Sequence, residues 1–105
     1  MICRLWRGWT DPWNADAYQR IVHTEVIPEI EARKISGFRH IDLMRRDGEQ
    51  ETEFQTLMWF DSLDAIINFI GDDYTRSHVP ARAQAVLKRF DERATHYQVI
   101  DQREQ

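Results

Sequence analysis

Four histidines and one early arginine are the residues of this chain whose types could do acid–base or anion chemistry. His23, His40, His78 and His96 lie on different segments. No two of them stand at a metal-ligand spacing, so no metal site is expected. There is no nucleophile elbow, no phosphate-binding glycine loop, no His-Glu-x-x-His and no cysteine pair. His40 is the best general base by type, because an imidazole titrates at about 6.5, close to neutral pH. Arg4 is a cation placed to stabilise a developing anion. Trp6, Trp59 and Tyr97 could line an apolar pocket around them. A plainer reading stands beside this one. In it, His40 and His96 are half-buried strand residues with ordinary hydrogen-bond partners, Arg4 pairs with an acid, and the aromatics are packing.

The elements that position these residues follow from periodicity. Ile2 to Trp9 reads as a strand, with Ile2, Arg4 and Trp6 on one face and Cys3, Leu5, Arg7 and Trp9 on the other. Thr10-Asp11-Pro12 breaks it. Asn14 is placed to cap a helix, with Asp16 in its first turn. Tyr18, Ile21, Val22, Val26 and Ile30 recur at helical spacing, and Pro28 inside that run predicts a kink. Gly37 ends the unit. Phe38 to Arg46 and Glu53 to Phe60 form a hairpin about Asp47-Gly48. In the first of these strands Ile41 and Leu43 share one face, and Phe38, His40 and Met44 the other.

Ser62 caps a second helix whose apolar side is Leu63, Ile66, Ile67 and Ile70, ending at Gly71. After a polar connector, Pro80 opens a short helix carrying Ala83, Val86, Leu87 and Phe90. Thr95 to Ile100 alternates as a last strand, and residues 101–105 are a polar tail. The order β-α-β-β-α-(α)-β predicts an α+β, ferredoxin-like domain over residues 1–100. Its helices cover one face of a four-stranded antiparallel sheet.

Bulk properties restrict the function. The 105 residues make one domain. Acids outnumber bases 18 to 14, for a net charge of −4, which disfavours nucleic acid and anionic membrane as partners. Cys3 is alone, so no internal disulfide forms, which fits a reducing compartment. The opening MICRLWRGW is broken by Arg4 and Arg7 and lacks the apolar core of a signal peptide. No apolar run approaches the ~18 residues of a membrane span. A cytoplasmic location is the expectation.

The strands are apolar on both faces. Phe54, Met58 and Phe60 oppose Leu57 and Trp59 on one strand; Ile2 and Trp6 oppose Leu5 and Trp9 on another. Helices cover one side only, so a second copy packed on the other side is expected, giving a homodimer.

Trp6 in the first strand, the helix opening at Asn14, and the run Trp59-Phe60-Asp61-Ser62-Leu63-Asp64-Ala65 together resemble the antibiotic biosynthesis monooxygenase superfamily of dimeric α+β barrels. The resemblance covers about residues 1–100. It implies a homodimer with a cavity between sheet and helices. It also implies oxidation of a phenolic or enolic aromatic substrate by dioxygen, with no cofactor. Related members bind haem. On this likeness Trp59 corresponds to a pocket tryptophan, Gln55 stands where the oxidases carry asparagine, and His78 falls at the spacing of a haem-relative histidine, with Asn68 where those relatives have tryptophan. The site expected is therefore His40 and Arg4 as catalytic groups, with Trp6, Gln55, Trp59, Tyr97 and His78 binding a small aromatic molecule. A non-catalytic dimeric binding or stress-responsive module, or a haem-binding relative, is the alternative.

Overall fold

The computed structural model describes residues 1–105. Strand β1 spans Ile2–Thr10, β2 Phe38–Asp47 and β3 Thr52–Phe60. They lie in the order β2-β3-β1, every neighbour antiparallel. Two short strands fill the fourth position in succession. β4 (Arg89–Phe90) pairs with Gly8 and Trp9, and β5 (Thr95–Gln98) pairs with Ile2 to Leu5. The expected last strand, Thr95 to Ile100, is β5 and ends two residues sooner, while β4 is a strand that the sequence did not lead one to expect. Phe90, read from sequence as helical, is a strand residue.

Pro12–Asn14 is a 3-10 turn leading into α1, Ala15–Ile21. Asn14 makes no side-chain cap, because the 3-10 turn already engages the first backbone groups. Pro28 does not simply break the helix. A π turn over Val22–Val26 precedes α2, Ile27–Ala32, and the Ile27 N–H reaches five residues back to Val22 O. One wider turn thus absorbs the donor that proline lacks. α3, Leu63–Ile70, is capped as expected: Ser62 Oγ accepts from the Ala65 N–H at 3.3 Å. Its buried side is Ala65, Ile66, Phe69 and Ile70, so the apolar face is rotated from the one expected. Leu63 is 40% exposed. α4 is short, Ala81–Gln84.

The register decides which side chains share a face. Arg4 faces Met58, Trp6 faces Thr56 and Gly8 faces Phe54; Ile41 and Leu43 continue the row on β2. This is the face beneath the helices. Tyr18 packs at a tilt of 60° against fully buried Phe54, with ring centres 4.7 Å apart. Phe60 lies between Phe38 at 5.3 Å and Phe69 at 5.9 Å. Phe38 joins this core because a bulge between Phe38 and His40 shifts the alternation by one residue, correcting the face assigned from sequence. Gly8 has a specific reason to be glycine: a Cβ there would sit 2.7 Å from the Trp6 ring. The opposite face carries Cys3, Leu5, Leu57 and Trp59, with Met44 45% and Tyr97 56% exposed.

Candidate functional site

Between the sheet and the helices lies a cavity. Its floor is Arg4, Trp6, Ile41, Thr56 and Met58, and its wall is Tyr18, Val22, Val26, Ile27 and Ile30. Phe69, His78, Val79, Pro80 and Ala83 form the roof. About 560 Å³ is free of atoms, mouth included, and the centre of a water molecule can reach about 50 Å³ of it. Drug-sized ligands occupy about 300–1,000 Å³. The cavity is open at its mouth and its interior is small, so a bound ring would lie partly in the mouth and a fused polycycle does not fit it as it stands.

Each wall has a local cause. The π turn brings Val22 and Val26 to the cavity side of the helix. Trp6 is pinned by its indole N–H, which donates to Asp91 O at 2.8 Å and to Ser77 Oγ at 3.1 Å. Asp91 sits in the gap between β4 and β5, so the split edge strand orients the cavity's tryptophan. α4 is clasped over the mouth by Arg82, whose Nε lies 3.0 Å from Glu25 and whose Nη2 lies 2.8 Å from Glu29.

Arg4 is the one charged group on the floor. It is 3% exposed. Nη1 donates to Tyr74 O at 2.6 Å and meets His96 Nε2 at 3.1 Å; Nη2 donates to Arg76 O at 2.6 Å. The guanidinium stands 5.6 Å from the centre of the Phe69 ring. Burial and the nearby Arg76 charge lower its pKa to about 10. Burying an ion costs several kcal/mol unless an opposite charge offsets it. His78 edges onto Phe69 at 5.3 Å. Burial of its ring, and then the charges of Arg33, Arg4 and Arg76, hold its pKa below the ordinary value, while Glu29 opposes this. His96 is lowered by burial and by Arg4. Both imidazoles are therefore neutral at pH 7. If Arg4 donates to His96, the His96 proton resides on Nδ1.

The structure brings Arg4, Trp6 and His78 together and sends the other expected site residues elsewhere. His40, Gln55, Trp59 and Tyr97 lie on the opposite face of the sheet. His40 Nε2 is 3.2 Å from both Asp42 carboxylate oxygens, and its ring meets Trp59 edge-on at 5.0 Å. Gln55 donates to Glu53 at 2.9 Å. The reason is parity. Trp59 pairs with Cys3 and His40, not with Arg4, so it alternates away from the cavity. Sequence reasoning missed Tyr18, Thr56, Phe69 and the Val79–Pro80–Ala83 roof. Tyr18 was already on the helix stripe that pointed inward; the others depended on register and phase. No three His, Cys, Asp or Glu side chains converge as a metal site requires.

No protein-family model matches the chain, and no curated protein matches it. Its fold is similar to that of a crystal structure from Bacillus cereus, a candidate antibiotic biosynthesis monooxygenase. The two superpose with a TM-score of 0.68 over 99% of this chain and 97% of the other, at 13% identity. The chain has an antibiotic biosynthesis monooxygenase-like α+β fold. At that identity the likeness concerns the path of the backbone, and the site must be argued from its own residues. No helix is long and apolar enough to cross a membrane.

Proposed function

We propose that this protein binds a small aromatic or phenolic molecule in the cavity beneath its helices and works as a homodimer joined through the open sheet face. The observation that carries the ligand reading is the apolar cavity lined by Trp6, Tyr18 and Phe69, with a buried cation on its floor. A core serving stability alone would be filled at that point, since interiors are close-packed. Trp6 supplies the test. Phenols and single-ring quinols should quench part of the tryptophan emission saturably, and Trp6→Phe should remove that part. Emission unaffected by any of them would sink the reading.

The dimer reading rests on Leu5, Leu57, Trp59, Met44 and Tyr97 gathered on a face no helix covers. Sedimentation at micromolar concentration should give twice the chain mass, and Trp59→Glu should halve it. A wild-type monomer overturns the proposal.

A second reading is catalytic: oxidation of the bound phenol by dioxygen without a prosthetic group. It is favoured by neutral His78 beside cationic Arg4 in the same cavity, and by the shared fold. His78 would accept the hydroxyl proton, Arg4 would hold the phenolate, and the electron-rich anion would reduce dioxygen. The base is thus His78 rather than His40. Oxygen uptake with single-ring quinols should fall in His78→Ala and persist in His40→Ala. Saturable quenching with no uptake marks a binding protein.

A further inference from the structure

We infer that the ligand is a single-ring aromatic carboxylate whose carboxyl group docks on the open N–H groups of Arg4. The inference deepens the ligand-binding reading above and rests on it.

Burial without a countercharge sets Arg4 apart. Arg7, Arg39, Arg45, Arg82, Arg89 and Arg93 each have a carboxylate within ion-pair distance. Arg4 is the most deeply buried charged residue of the chain and has none. Its partners are two main-chain carbonyls and one imidazole. These use only part of the guanidinium's set of N–H donors, and none of them carries negative charge. Arg33 and Arg76 bear on the same spot. Arg33 lies 5.4 Å from the centre of the Phe69 ring and donates to Phe69 O at 2.7 Å; Arg76 donates to Ile70 O at 2.8 Å. They cap the end of α3 and also form no ion pair. Both are solvent-exposed and neither lines the cavity, so they add positive potential near its mouth, and Arg4 is the buried cation left without a countercharge. The acid nearest the roof, Glu29, is engaged by Arg82.

The missing charge is one that a ligand can bring. A phenol is neutral at pH 7 and must first lose its proton, whereas a carboxylic acid arrives ionised. Two coplanar oxygens also match the planar guanidinium fork, and one phenolate oxygen does not. Next to the cation the lining is Trp6, Phe69, Met58 and Val26, which suits an uncharged flat body. The small interior limits that body to at most one ring, part of it lying in the mouth.

The test is titration calorimetry and tryptophan quenching at pH 7 with benzoate and 4-hydroxybenzoate, against their neutral near-isosteres benzamide and 4-hydroxybenzamide. The carboxylates should bind at least tenfold more tightly than their neutral counterparts. Arg4→Gln should erase that preference while keeping benzamide affinity within about twofold. Arg89→Gln, on the surface, should leave it intact. Where Arg4→Gln fails to fold, the wild-type comparison decides alone. Equal affinity for benzoate and benzamide, or a preference that survives in folded Arg4→Gln, overturns the carboxylate assignment and leaves the binding reading standing. If none of the four binds, both fall.

Discussion

Acid should weaken this fold in a window set by the two histidines around Arg4. In the native state His78 and His96 resist protonation, His78 through burial and the Arg33, Arg4 and Arg76 charges, His96 through burial and Arg4. In the unfolded chain both titrate at about 6.5. Between that value and their lower native values the unfolded chain binds protons that the native chain does not, so stability rises with pH across the window and falls on acidification. The ceiling is about 1.4 kcal/mol per pH unit for each histidine, or about 2.7 for the pair. His78 contributes less than its ceiling, because its ring lies at the mouth within reach of water. Against a total stability of about 5–15 kcal/mol this is readable: with a urea slope of about 1–3 kcal/mol per molar, each kcal/mol lost lowers the midpoint by about 0.3–1 M, so the midpoint should fall measurably as the pH drops below about 6.5. Urea unfolding followed by far-ultraviolet circular dichroism at half-unit steps measures it. His78→Gln combined with His96→Gln should flatten the dependence, with His23 and His40 common to both proteins and so cancelling. The carboxylates held low by arginine partners, Asp47 and Asp61, act in a separate window below their ordinary value of 3.8. A midpoint that stays constant from pH 7 to 5, or falls equally in the double variant, would refute the reasoning.

Two further outcomes test the packing. Phe54→Ala, at a fully buried ring packed at a tilt against Tyr18, should destabilise by about 3–5 kcal/mol in the same urea assay; a loss under about 1.5 would show that the core is not centred there. Gly37→Ala should be worse than Gly71→Ala by about 1 kcal/mol or more. Both glycines have positive φ, +85° and +98°, but a Cβ on Gly37 would lie 2.7 Å from Ala65 Cβ while one on Gly71 meets open space. Equal losses would contradict the close approach of Gly37 to α3.

The sequence by itself determined the elements and their order. Periods of two and of three to four residues are local signals, and Ser62, Gly71 and Asp47-Gly48 are local punctuation, so the strands, the hairpin and the capped helix could be read in place. It also determined that the sheet is apolar on both sides, because alternation along β1 and β3 needs no partner to be seen. Tertiary structure alone decided which residues share the cavity. Within one strand, parity groups Arg4 with Trp6, but across strands it takes the register to put Trp6 opposite Thr56 and leave Gln55 and Trp59 on the far side. A one-residue bulge moved Phe38 into the core, and a rotated α3 brought Phe69 between Arg4 and Arg33. Burial of Arg4 without a countercharge is likewise a property of packing. A sequence shows that acids are plentiful; only the folded chain shows that none of them reaches this cation.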